Sequence, residues 1–396
     1  MRERSQGKEG EGGMRTWIML VAVLLGIVML PSCREKSQIN NRVVVTAVGI
    51  DRAEGEEGCS LSLQAIEALK ISGSLTNQEN NATGLYETDG SSVAAAMKSF
   101  VTQTGRNTYL LQNRAIVISL DQLKEQSLQA TLDYFLRNYE SRPGVYLAVS
   151  RDSPAEVLGI TTSSYTIPAE YLATLLREGQ RWGYSASATL LDAERSFSGM
   201  FDAYLPIVRV EGEGDDAAIV MDGTAIFRQG EYVGELDSSE TRGLLFVQNE
   251  LERGTLTVKG EGGIPVTAEL KKSHTSVTVE REGDAAAFTI RISARAEIAE
   301  EADGDALSKA GLPALETLFA RQIEEEVRAA VEKTVKEYGS DVFGFGRRLM
   351  KKEPGLIRGS EDEWPARLKE CSYRVVAEVD IRGIGADTGA EPNKVS

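Results

Sequence analysis

Histidine is nearly missing from this sequence: 396 residues contain one, His274, alongside only three cysteines, Cys33, Cys59 and Cys371. A Ser-His-Asp or Cys-His centre would have to be built on His274, whose neighbours read as an exposed strand start. A zinc site would have to draw Cys59, His274 and Cys371 from three distant segments, and the sequence disfavours it. Three cysteines do not make a disulfide scaffold. Cys59 and Cys371 read better as buried single thiols than as a bridge, with pairing outside the cell left open. Aromatic residues make up 6% of the chain and the formal charge is -16, a balance that repels nucleic acid and anionic headgroups. Phosphate-cradling loops are absent as well. Gly344-Phe345-Gly346 follows a helical pattern and leads to Arg347 and Arg348 where a third glycine would be needed. Sixty acidic residues guarantee chance carboxylate pairs, so no acid/base pair stands out. Past Leu30 no apolar run is long enough to cross a bilayer.

What is present begins with Thr16–Cys33, TWIMLVAVLLGIVMLPSC, which is free of charge from Trp17 to Leu30 and preceded by Arg15. Such a run as a helix rises roughly 21 Å, short of the ~20 residues a span needs. A short apolar core behind a basic start, closed by small residues, is the layout of an export signal. A cysteine at the cut position resembles a bacterial lipoprotein signal, with Cys33 lipidated as the mature N-terminus. An ordinary signal peptide or an uncleaved anchor would equally place the remainder outside the cytoplasm. Met14-Arg15 offers a tidier start than Met1. An acidic surface needs such a tether to stay at a membrane.

In order, residues 1–32 read as the signal peptide and 33–41 as a tether. Residues 42–152 read as a mixed α/β domain. Within it a β-branched run over 42–51 pairs as a hairpin with an alternating, half-buried strand from Cys59. A Ser/Thr/Asn/Gly-rich loop over 71–90 comes before two helices (from Val93, and around 128–136) and strands at 114–118 and 145–149. Residues 153–216 read as a largely helical middle domain ending in a strand and the acidic turn EGEGDD (211–216), taken as a boundary. Residues 217–386 read as a C-terminal α/β domain. It carries a hairpin turning near Gln229-Gly230, a capping box Asp237-Ser238-Ser239-Glu240, and four alternating segments near 255–259, 265–270, 275–280 and 287–298 as an antiparallel meander. A long helix from Leu312 to Tyr338 and a last strand at 373–381 complete it. Residues 387–396 read as a disordered tail. The fold class is α+β or mixed α/β in about three domains, with antiparallel and mixed sheets flanked by helices.

Several stretches together resemble the Ger(X)C family, the lipoprotein C subunits of spore germinant receptors. They are VVVTAVGID (43–51), LLQNRAIVIS (110–119), DYFLRNYESRPGVYLAVS (133–150), GTAIFRQGEYVGELDSSETRGLLFV (223–247) and LETLFARQIEEEVRAAVEKTVKEYGSDVFGFG (315–346), with Trp364 beyond. The resemblance implies three mixed α/β domains and a non-enzymatic subunit without cofactor or metal, needed for receptor assembly or signalling. It also implies two membrane partners, a GerA-type A subunit and a transporter-like B subunit, and a lipid-anchored place on the outer face of the spore inner membrane. By the match, Cys33 is the lipidation site. Gly223, Gly234, Glu235, Leu236, Glu240 and Thr241 also match the pattern, and turn geometry and helix capping explain them better than receptor contact. Arg114 and Arg137 match too, as buried ion-pair partners or interface anchors. The competing reading is an extracytoplasmic solute-binding lipoprotein; a secreted hydrolase has no motif behind it.

Overall fold

The computed structural model describes residues 17, 19, 42–53, 55, 58–66, 83–162, 164–199, 201–283, 285–301, 311–357 and 363–384. Cys33, the tether and the tail lie outside these residues. From Val43 onward the chain forms one compact unit.

Chain order begins with β1 (Arg42–Arg52), β2 (Cys59–Ile66), β3 (Thr83–Gly90), helix α1 (Val93–Thr104), β4 (Asn107–Tyr109), β5 (Ala115–Ser119), α2 (Leu120–Glu125), α3 (Leu128–Arg137) and β6 (Tyr146–Ser150). It continues through α4 (Pro154–Gly159), α5 (Pro168–Arg181), β7 (Ala188–Thr189), α6 (Leu190–Ser198), β8 (Tyr204–Glu211), β9 (Ala218–Arg228), β10 (Glu231–Leu236) and α7 (Ser238–Gln248). The last part holds β11 (Gly254–Lys259), β12 (Pro265–Glu282), β13 (Ala285–Glu301), α8 (Leu312–Val331), α9 (Phe345–Lys352), α10 (Trp364–Glu370) and β14 (Ser372–Ile384).

The fold is mixed α/β, with two sheets. A ten-stranded sheet runs β10-β9-β8-β6-β5-β1-β2-β3, with β4 and β7 as side pairs. Its centre is parallel: β1 pairs β5, β5 pairs β6, and β6 pairs β8. A parallel strand covered on both faces has no polar side, which is why VVVTAVGI and AIVIS read as unbroken apolar runs. One face packs against α1, α3 and α6 through Phe100, Leu132, Phe135 and Leu190. The other packs against α4 and α5 through Val157, Leu172 and Leu176.

Four expectations change here. Strand β2 is buried on both sides, because α4 and the start of α5 cover the face carrying its polar residues. Gln64 there donates to the Leu158 carbonyl (2.7 Å) and accepts from Thr46 Oγ1 (2.9 Å) and Ala169 N (3.0 Å), so its burial leaves little unpaired. The Ser/Thr/Asn/Gly-rich stretch read as a loop over 71–90 holds strand β3 at Thr83–Gly90, which pairs antiparallel with β2. The segment 153–216 holds β7 and β8 as well as helices, and its terminal turn at 211–216 joins β8 to β9, which are paired neighbours of one sheet. Segments 265–270 and 275–280 are one strand, β12, whose register shifts between Leu270 and Lys272. A bulge lets one strand change its pairing without a turn. His274 therefore lies exposed within a strand, not at a strand start.

The four-stranded sheet, β11-β12-β13-β14, is antiparallel except where β14 runs parallel to β13. Helix α8 covers it with Leu315, Phe319, Ile323 and Val327. Beyond Val331 the helix widens into a π turn over Glu332–Glu337 before Gly339 ends it in a left-handed conformation. Glutamates of α8 also reach the sheet backbone. Glu324 accepts from Ala377 N (3.1 Å) and Glu316 from Ile381 N (3.0 Å), which occupies donors on an edge strand that would otherwise invite pairing.

Candidate functional site

The residues from Gly223 to Gly243 form a joint between the two sheets. At Gln229 and Gly230 the chain takes positive φ, as a two-residue hairpin turn requires. Gly223 has φ +95, and a Cβ there would sit 2.2 Å from the Leu236 carbonyl oxygen. Gly234 admits the Tyr338 ring, which a Cβ would meet at 2.3 Å. Through that gap the Tyr338 hydroxyl donates to the Glu235 carbonyl (3.1 Å) and accepts from its N–H. Asp237 and Glu240 complete the capping box of α7, and Glu240 also takes Lys333 Nζ at 2.7 Å. Thr241 is fully buried and shares a hydrogen bond with Thr224 (2.9 Å). Leu236 is buried in the C-terminal core.

Charges at this joint are paired. Arg242 forks onto Glu326, with Nε at 2.8 Å from Oε2 and both side chains mostly out of water. Arg151 bonds Asp222 and Glu235, the latter at 2.5 Å. Burial works to raise Glu235, but hydrogen bonds from Arg151 and Tyr232 outweigh it and leave the carboxyl below its usual value. Next to the joint, Asp341 is buried and accepts from Phe345 N (2.7 Å), Gly346 N (2.6 Å) and Trp364 Nε1 (2.9 Å). Burial, helped by the nearby Asp202, nevertheless pushes its carboxyl up to about 6. Sequence reasoning missed Arg151, Arg242, Glu326 and Asp341. Their partners lie 71 or more residues away for the first three, a separation that periodicity does not reveal.

Arg114 and Arg137 are not part of the joint, nor are they together. Both lie in exposed ion pairs rather than buried ones: Arg114 with Glu170 at 3.7 Å and Arg137 with Asp133 at 2.8 Å. Arg114 immediately precedes β5, and its side chain is exposed. Arg137 closes α3 and lines a crevice of about 810 Å³ at the carboxyl ends of β1 and β5. Arg52, Glu125, Ser92, Tyr134 and Tyr139 line it too. Open α/β sheets commonly bind ligands at the carboxyl ends of parallel strands. The crevice is mixed in character, with Arg52 and Glu125 paired across it at 3.3 Å.

Cys59 and Cys371 are both buried and unpaired, which settles them as single thiols. Burial raises both thiols, with Asp89 adding to the effect at Cys59, so neither is a ready nucleophile. No cluster of three metal-ligating side chains occurs among the described residues.

Against known proteins, residues 35–210 match the family described as spore germination protein N-terminal domain, and residues 222–385 match spore germination B3/GerAC like, C-terminal. Spore germination protein KC of Bacillus subtilis is 22% identical over 395 residues, covering 94% of this chain and 97% of that protein. Spore germination protein B3 of the same organism is 24% identical over 267 residues, 66% of this chain and 70% of the relative. Spore germination protein GerQC of Bacillus cereus is 21% identical, covering 94% and 99%. Among solved structures, the crystal structure of the GerBC protein superposes with a TM-score of 0.57 at 19% identity, over 84% of this chain and 96% of that one.

Proposed function

The chain belongs to the Ger(X)C family of spore germination proteins, and from that premise we propose that it is the lipid-anchored C subunit of a nutrient germinant receptor. Its role there is assembly or signalling rather than catalysis. The observation that carries the reading is the pair of family matches, which together run almost without a gap from residue 35 to residue 385. The partners are a GerA-type A subunit and a transporter-like B subunit, and the place is the outer face of the spore inner membrane. Cys33 supplies the anchor: a thioether-linked diacylglycerol brings two acyl chains, the number stable attachment needs. No helix among the described residues is long and apolar enough to cross a membrane.

The test is Cys33→Ala in sporulating cells, followed by fractionation of spores and a nutrient-triggered germination assay. The variant is expected to fold, leave the membrane fraction and fail to support germination. Normal germination by a soluble variant would defeat the tethering role.

The 810 Å³ crevice favours a second reading, a solute-binding lipoprotein. A rise of several degrees in the unfolding midpoint on adding one solute, lost in Arg52→Ala, would support it.

A further inference from the structure

A second opening lies at the other end of the parallel strands, where the chain enters β5 and β6. Three backbone bonds pin it. Arg114 N donates to the Thr46 carbonyl (2.8 Å), Tyr146 N to the Arg114 carbonyl (3.0 Å), and Val145 N to the Arg142 carbonyl (3.2 Å). With the backbone held by sheet and turn, the side chains of Arg114 and Arg142 project from its end. Opposite them, Glu170, Ala173, Thr174 and Arg177 recur at the three- and four-residue spacing of one face of α5. Together they enclose about 570 Å³, within the range of small-molecule sites.

The charge of this pocket runs against that of the molecule. In a chain of formal charge -16, it gathers Arg114, Arg142 and Arg177 against one lining carboxylate, Glu170. Glu170 stands 3.7 Å from Arg114, and Arg177 leans on its neighbour Glu178 at 3.1 Å. Arg142 has no ion pair among the described residues and is exposed. Guanidinium groups present forked donors that fit the two oxygens of a carboxylate or phosphate.

A second observation points the same way. Asn113 lines the pocket at 4% exposure, and its Oδ1 is buried without a hydrogen-bond partner. A buried acceptor left unpaired is unfavourable, and a ligand donor is one way to satisfy it. We infer that this pocket binds a small organic anion, a carboxylate or phosphate that also carries a hydroxyl or N–H donor. The arginines take the anionic group, and Asn113 Oδ1 with Glu170 accepts the donor. The inference goes beyond the receptor reading and stands or falls separately from it.

Calorimetric titration of the full chain in uncharged detergent tests it, with three probes: malate, glycerol 3-phosphate and dihexanoyl phosphatidylglycerol. At least one is expected to bind saturably at one site. Arg142→Ala should weaken it tenfold or more, Arg142→Lys less, and Asn113→Leu several-fold, while Arg328→Ala on the distant α8 leaves it unchanged. Thermal unfolding of each variant separates lost binding from lost fold. Tighter binding of the lipid than of glycerol 3-phosphate would make a membrane headgroup the source of the anion; the reverse order would make it a soluble metabolite. Absence of saturable binding by all three probes, or binding that Arg142→Ala leaves untouched, would overturn the inference.

Discussion

In the ten-stranded sheet the central strands run parallel, so the chain must leave at one end and return at the other, and two openings of about 810 and 570 Å³ lie at those ends. The four-stranded sheet is built mostly from hairpin neighbours, and α8 lies along it with its glutamates on the edge backbone of β14. Between the two, the joint at Gly223–Gly243 pairs its buried charges and leaves no room for a Cβ at Gly223, Gly234 or Gly243. The contrast separates two kinds of matched residue. Those in the joint are explained by packing, whereas Arg114 and Arg137 sit in exposed pairs beside openings, where stability asks little of them.

That contrast can be broken most sharply at Asp341. Replacing it with alanine strands three donors, and is expected to lower unfolding free energy by about 3–5 kcal/mol, read as a denaturant midpoint. The same carboxyl makes a pH prediction. Its folded value, about 6, exceeds the usual 3.8, so the folded protein holds this proton more tightly than the unfolded chain does. The contribution is therefore present below pH 4 and is lost as pH rises through 6, a fall of about 3 kcal/mol. Comparing denaturation of the protein with that of Asp341→Asn across pH 4–7 isolates this slope. Gly243→Ala places a Cβ 2.2 Å from the Glu326 carbonyl oxygen on α8 and should cost about 1–3 kcal/mol. Arg137→Ala removes only an exposed i,i+4 pair and should change stability by less than about 0.5 kcal/mol, so any germination defect it causes is functional.

Much of the local structure was legible in the sequence because it rests on local chemistry. The hairpin at Gln229-Gly230, the capping box at Asp237–Glu240 and the apolar stripe of α8 all form where residue type and spacing place them. Long-range order was not legible. Gln64 looked like the wet side of a half-buried strand, and only its bonds to Leu158 and Ala169, 94 and 105 residues on, show why it is inside. Likewise the joint's glycine and acid positions could be picked out by resemblance, but Tyr338, Arg151 and Lys333, which meet Gly234, Glu235 and Glu240, come from distant sequence. The arginine pocket was half visible. Arg114 was noted, while Arg142, Arg177 and Asn113 join it only when β5, β6 and α5 are brought together.

The central claim is membership of a membrane receptor, and co-purification tests it most directly. The chain, tagged at its C-terminus and expressed from its own promoter, is solubilised from spore inner membranes in mild detergent, captured, and its companions identified. The account predicts two further proteins in stoichiometric amount, one transporter-like and one with a large soluble portion, both lost when Cys33→Ala releases the chain. Recovery of the lipidated chain without either companion would contradict it.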